Sequence, residues 1–269
     1  MYSLDAPIGV IDSGVGGLTS VKEILNLLPG ENIIYCGDNL NAPYGNRSAD
    51  EIIALTKKML NFLQSKNVKL VAVACNTISS TFESKEYEGY EKNFNFPILS
   101  VIEPAAEDVI RQHYKSVGVI ATEFTIQTGC HKQLIQKMDP TIQVYGEPSK
   151  NLAMLIEQGD LNNPAIHNDI KQHIANLLSQ HPLKEIVLGC THYPIVQNIF
   201  ESIAPNIKFI NPARDQAISV KKHLKLLNIL NPNISGTLEI NTSGTSEIYT
   251  TILNELEINK DYSLNIIEF

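Results

Sequence analysis

Two cysteines carry the most chemistry in this sequence. Cys75 is followed by Asn76 and Thr77, Cys190 by Thr191 and His192, and each thiol closes an apolar run, Val71-Ala72-Val73-Ala74 or Ile186-Val187-Leu188-Gly189. A free cysteine in such a run is ordinarily a small hydrophobe. At the end of a strand, where a helix should begin, its surroundings can instead lower the thiol from its usual pKa of about 8.5 and make it a base. Finding the arrangement twice points to two thiols on opposite walls of one cleft, holding a small substrate between proton donors and acceptors. His192 is placed to assist or orient Cys190, and Asp12 to do the same for Cys75. Read as purely structural residues, His192 would open a helix and Asp12 would cap a glycine loop. Cys36, just before Gly37-Asp38, and Cys130, inside an expected helix, lack this setting and read as structural.

Three further segments are expected at the carboxyl ends of strands, where open parallel sheets bind ligands. They are Asp12-Ser13-Gly14-Val15-Gly16-Gly17, Gly37-Asp38 through Pro43-Tyr44-Gly45, and Ala121-Thr122 through Thr125. The glycine loop lacks the GxGxxG spacing and has no Walker lysine, and Asp12 would repel a phosphate. A small carboxylate held by backbone amides suits it better than a nucleotide; the plainer reading is a tight turn that lets a helix pack. Ser13, Thr77, Thr122, Thr125 and Thr191, with the amide of Asn76, are natural partners for such a carboxylate, or alternatively helix caps.

The elements needed to position these groups follow from apolar periodicity. Ile8–Ile11, Asn32–Cys36, Val68–Ala74 and Pro97–Val101 read as strands, the third buried on both faces. Leu18–Leu28 reads as a helix, and Ser48-Ala49-Asp50-Glu51 as a capping box opening another. Pro104 suits the first turn of a helix. The pattern then restarts. Val117-Gly118-Val119-Ile120 echoes Ile8-Gly9-Val10-Ile11, and 186–192 echoes 71–77. Two related α/β lobes are expected, each a mostly parallel sheet flanked by helices, with the active site in the cleft between them. The first lobe spans 1–98 and is completed by 209–269; the second spans 99–208.

The composition narrows the function. Of 269 residues, 43% are hydrophobic and 19% charged, which fits a globular chain. The balance of 21 Lys+Arg against 29 Asp+Glu argues against a nucleic-acid partner. No apolar run approaches membrane-spanning length, and Met1-Tyr2-Ser3-Leu4-Asp5 lacks the basic start of a signal peptide. Four scattered cysteines without a CxxC argue against a disulfide framework or a structural metal. A cytoplasmic protein acting on a small molecule is expected.

Taken together, Gly9-Val10-Ile11-Asp12-Ser13-Gly14-Val15-Gly16-Gly17-Leu18-Thr19, Pro43-Tyr44-Gly45, Val73-Ala74-Cys75-Asn76-Thr77, Val101-Ile102-Glu103-Pro104 and Leu188-Gly189-Cys190-Thr191-His192-Tyr193-Pro194 resemble glutamate racemase, of the aspartate/glutamate racemase superfamily. Asn211-Pro212-Ala213 resembles a further element of the family. The resemblance implies a cofactor-independent isomerase that supplies D-glutamate for peptidoglycan. Cys75 would serve D-glutamate and Cys190 L-glutamate, assisted by Asp12 and His192. Ser13, Pro43, Tyr44, Gly45, Asn76, Thr77, Thr122, Thr125 and Thr191 would line the site, and Glu157 corresponds to a further acidic residue. A homodimer would fit the family.

The chain departs from the family at Asn41, where Arg is common, at Ala105, where Gly is usual, and at Glu147, where many members have Cys. These bear on the choice between glutamate and aspartate, so an aspartate or broad acidic amino-acid racemase is the nearest alternative. A Cys190–His192 hydrolase fits less well, because residues two apart rarely face each other as nucleophile and base and no nucleophile elbow is present. An amino-acid-binding regulatory protein would leave the second thiol unexplained. No lysine in these motifs suggests a pyridoxal Schiff base.

Overall fold

Apolar runs of four to seven residues with no alternation belong to strands covered on both faces, and they account for the centre of this molecule. A computed structural model describes residues 3–83 and 89–269; Met1 and Tyr2 of the N-terminal stretch considered above lie outside them. The first half contains β1 (Ile8–Asp12), α1 (Leu18–Leu27), β2 (Ile33–Gly37), α2 (Ala49–Ser65), β3 (Leu70–Val73), α3 (Asn76–Glu83) and β4 (Ile98–Ser100). Every residue of β1, β2 and β3 is buried. The expected capping box is present: Ser48 accepts from the Glu51 amide, and the Glu51 carboxylate accepts from the Ser48 amide at 3.0 Å.

The second half runs α4 (Ile102–Arg111), β5 (Ser116–Thr122), α5 (Glu123–Thr128), α6 (Cys130–Met138), β6 (Gln143–Ser149), α7 (Leu152–Glu157), α8 (Pro164–Gln180), β7 (Glu185–Gly189), α9 (Gln197–Ile203) and β8 (Lys208–Ile210). The chain ends with α10 (Ala213–Leu226), β9 (Leu238–Thr242), α11 (Glu247–Glu255) and β10 (Tyr262–Ile266).

Among the described residues the strands form two sheets, of order β10-β9-β2-β1-β3-β4 and β6-β5-β7-β8, with every pairing parallel. Substituting β5, β6, β7 and β8 for β1, β2, β3 and β4 turns the core order 2-1-3-4 of the first sheet into 6-5-7-8, the order of the second. The two sequence echoes fall on the equivalent strands β1/β5 and β3/β7. β9 and β10 extend the first sheet. The sheets change over between β4 and β5 and between β8 and β9, so cuts at 98/99 and 208/209 each fall inside a strand. One apolar cluster runs through both lobes, joining Val15, Leu18 and Tyr35 to Leu152, Ile156, Leu188 and Tyr193.

Candidate active site

All five strand-end segments meet at the junction of the lobes. A small cavity is lined by Ser13, Pro43, Tyr44, Gly45, Cys75, Asn76, Thr77, Thr122, Cys190, Thr191 and His192, together with Ala153. Its walls nearly touch, leaving only about 10 Å³ of free room. Every lining residue except Pro43 is buried, so a substrate enters only when the walls part. Asp12 and Thr125 stand just behind the wall. The Thr125 hydroxyl pairs with those of Thr122 at 3.0 Å and Thr77 at 3.4 Å. Cys36 and Cys130 are buried elsewhere, Cys36 in β2 and Cys130 against the Ser80 carbonyl at 3.5 Å.

The Cys75 wall is short and mostly neutral. The thiol sits between β3 and α3, accepting from the Ile78 amide at 3.5 Å and donating to Ser13 Oγ at 3.7 Å. Burial above all, then the charge of Asp12, pushes its pKa up to about 12, with Cys190 adding to the rise and the two hydrogen bonds opposing it. The thiol therefore keeps its proton at neutral pH. The hydrogen bonds of Asp12 go to the Gly14 amide and to Thr191 Oγ1 across the lobe junction, both at 3.0 Å. Asp12 thus acts on Cys75 through its charge. Its own carboxyl is raised to about 6, chiefly by burial, with the His192 cation as the largest opposing influence.

The Cys190 wall is a chain of charged and polar groups. Cys190 Sγ lies 3.6 Å from His192 Nδ1, and His192 Nε2 donates to Glu157 Oε2 in a short hydrogen bond. The expectation that residues two apart would not face each other is overturned, because the backbone does not enter an α-helix after Cys190. A 3-10 turn at Tyr193–Val196, with Pro194 in its first turn, precedes α9, and it brings His192 back over the sulfur. The expected helix start at this thiol is corrected by the same turn. Burial opposes a charge on the ring, but hydrogen bonds and negative charge from Cys190 and Glu157 hold the His192 pKa well above its usual value.

The glycine loop serves the lobe junction. A Cβ on Gly14 would lie 2.5 Å from Glu157 Oε2, and one on Gly16 would lie 2.4 Å from Thr191 Oγ1 and 2.8 Å from His192 Nδ1. The lobes close this tightly because side chains are absent there. The loop carrying Pro43, Tyr44 and Gly45 is held by Asp38, which accepts from Tyr44 Oη and Ser243 Oγ, both at 2.5 Å, and from Asn41 Nδ2 at 3.0 Å.

Asn41, Ala105 and Glu147 all lie off the cavity wall. Asn41 is bound to Asp38 and accepts from Arg47 Nε at 2.7 Å through its carbonyl, Ala105 is buried in α4, and Glu147 pairs with His173 at 2.8 Å. Ala153, on the cavity wall, and His131, behind Asn76, are residues that the motifs did not flag. His131, on α6, is paired through Nε2 with Asn76 Oδ1 at 3.0 Å, and burial lowers its pKa to about 4, which keeps it neutral. Among the described residues, no group of three or more His, Cys, Asp or Glu side chains is arranged to hold a metal ion.

This geometry can be set beside known proteins. The Asp/Glu/Hydantoin racemase profile matches residues 8–215. The chain belongs to that family. Glutamate racemase 3 of Caldanaerobacter subterraneus subsp. tengcongensis is 38% identical over 267 residues, covering 97% of this chain and 95% of the relative. Among solved structures, a glutamate racemase isoform from Bacillus anthracis superposes with a TM-score of 0.89 at 29% identity, covering 98% of each chain. A Francisella tularensis glutamate racemase in complex with D-glutamate gives 0.86 at 29% identity, again over 98% of each chain. Membership gives the two equivalent sheets and their shared cavity a common setting: the racemase family to which all three relatives' names refer.

Proposed function

We propose that this protein interconverts L- and D-glutamate by a two-thiol, two-base reaction. One observation carries the reading: Cys75 and Cys190 end equivalent strands of two equivalent sheets and line a single small cavity. Likeness to glutamate racemases over nearly the whole chain supports the substrate. The three departures from the family lie away from the wall, which favours glutamate over aspartate.

In the L-to-D direction, the Cys190 sulfur, relieved of its proton with the help of His192, takes the hydrogen from Cα as the C–H bond breaks. The electron pair stays on Cα and its carboxylate. The Cys75 S–H then breaks as its proton forms a new bond on the opposite face. The reverse reaction exchanges the roles. Burial and, after it, the charge of Asp12 keep the proton on Cys75, so that thiol enters as the acid. Ser13, Asn76, Thr77, Thr122 and Thr191 present hydroxyl and amide groups to the substrate carboxylate, where charge builds up, and enclosure strengthens each contact. D-Glutamate made in this way would feed peptidoglycan synthesis in the cytoplasm; among the described residues no helix is long and apolar enough to cross a membrane.

The test is incubation with L-glutamate and L-aspartate separately in deuterated water without pyridoxal phosphate. Deuterium at Cα with loss of optical rotation is expected for glutamate. Exchange with aspartate alone would make this an aspartate racemase, and no exchange with either would end the proposal.

A further inference from the structure

The charged chain on the Cys190 wall does not stop at Glu157. Asn39, in the 3-10 turn that follows β2, donates through Nδ2 to Glu157 Oε1 in a short hydrogen bond. Its own Oδ1 accepts from Thr242 Oγ1 at 3.0 Å and from Tyr249 Oη in another short bond. Thr242 and Tyr249 are fully buried. Burial above all, with the nearby Glu157 and Asp12 carboxylates, holds the Tyr249 phenol well above its usual pKa, so it remains a donor.

A carboxamide whose oxygen faces two hydroxyl donors has only its NH₂ left to offer elsewhere. Thr242 and Tyr249 therefore fix the Asn39 amide in the one orientation that points nitrogen at Glu157. Glu157 is then held from three sides: Asn39 on Oε1, and the Val15 amide at 3.2 Å and His192 on Oε2. A carboxylate so held fixes the plane of the imidazole and keeps Nδ1 on the Cys190 sulfur.

We propose that Asn39 is a positioning residue for the Cys190 half-reaction, acting through Glu157 on His192, and that Thr242 and Tyr249 set its orientation. The inference rests on the racemase reading above and assigns that site a supporting layer. Thr242 and Tyr249 lie on β9 and α11, beyond the 8–215 span matched by the family. The C-terminal extension of the first sheet thus has a share in tuning the base on the opposite lobe.

The experiment measures kcat and KM for L-glutamate against pH in the full chain, with Asn39→Ala, Tyr249→Phe, Glu157→Gln, His192→Gln and the double variant Asn39→Ala/Glu157→Gln. Asn39→Ala should lower kcat roughly tenfold, the scale of one hydrogen bond to a charged group, with KM little changed. It should also move the His192 limb of the profile to lower pH, since Glu157 holds the cation less firmly. The double variant should match Glu157→Gln alone, because Asn39 has nothing left to act through. Tyr249→Phe keeps the ring and should shift the same limb in the same direction by less, so the test survives if Asn39→Ala does not fold. An unmoved pH limb in both Asn39→Ala and Tyr249→Phe, or fully additive losses in the double variant, would overturn the assignment. No turnover of L-glutamate by the unmodified chain would instead sink the racemase reading itself, and full turnover by His192→Gln would overturn the positioning role with the racemase reading intact, which keeps the two failures apart.

Discussion

The two thiols occupy equivalent places in equivalent sheets, yet their surroundings differ in kind. Cys75 rests against a helix amide and a serine hydroxyl, and its burial, with a buried carboxylate nearby, makes it hold its proton. Cys190 rests against an imidazole whose far nitrogen is held by a carboxylate. Repetition of the backbone supplies two opposed positions; in the proposed reaction the groups around them decide which sulfur starts as acid and which has a base beside it. Symmetry of scaffold thus yields asymmetry of protonation. A racemase can use that asymmetry, because one face of the substrate must lose a proton while the other gains one.

The most severe way to break the comparison is to remove each sulfur. Cys75→Ala and Cys190→Ala should each cost roughly 10²- to 10⁴-fold or more in turnover, the range for losing a positioned acid or base. Circular dichroism should show both variants folded. Full turnover by either would mean that one wall suffices.

His192→Gln disturbs only the Cys190 wall and should lower kcat by roughly 10²-fold. Because the two enantiomers are equally stable, kcat/KM must fall equally in both directions. The difference between the walls should appear in isotope effects, with Cα-deuterated L-glutamate more affected than the D form. Equal effects from both would mean that His192 serves both sulfurs alike.

Asp12→Asn disturbs the Cys75 wall. The Asp12 carboxyl titrates at about 6 in the folded chain, above its unfolded value near 3.9. The native state therefore holds that proton after the unfolded chain has lost it, and stability falls as pH rises through the window between the two values. Denaturation of parent and variant at pH 4 and 7 should show the difference moving in favour of Asp12→Asn by up to roughly 3 kcal/mol. The same substitution removes a charge that raises the Cys75 pKa, so alkylation of Cys75 in a Cys190→Ala background should begin at lower pH. If neither shift appears, Asp12 is not the charge that Cys75 feels.

The mildest perturbation is Gly16→Ala. Its Cβ would meet Thr191 Oγ1 at 2.4 Å and the His192 backbone nitrogen at 2.9 Å. Overpacking of this kind costs roughly 1–3 kcal/mol, readable as a lower melting temperature together with weakened turnover. An unchanged melting temperature would mean that the lobes yield at that point.

The strand ends were legible because buried parallel strands are unbroken apolar runs and their polar continuations stand out against them. Cys75, Cys190, Thr77 and Thr122 were found in this way, and the halves matched because β1/β5 and β3/β7 carry the same short patterns. What stayed hidden depends on docking. His131 on Asn76, Asn39 on Glu157 and Thr191 on Asp12 join residues 55, 118 and 179 positions apart, and no local pattern records such pairings. The contact between Cys190 and His192 is expected from their adjacency, but the tight turn that makes it is not: it stands where spacing alone suggests a helix. β10, exposed along most of its length, lacks the apolar run that marks the inner strands.

The cavity is also a seam. Thr77 to Thr122 at 3.0 Å, Asp12 to Thr191 at 3.0 Å and Val15 to Glu157 at 3.2 Å all join one half of the molecule to the other around it. A small dicarboxylate lodged there would fasten the halves as well as occupy the pocket, so heat resistance should climb with its concentration as mass action requires. For this chain, holding together and holding its ligand are partly the same event.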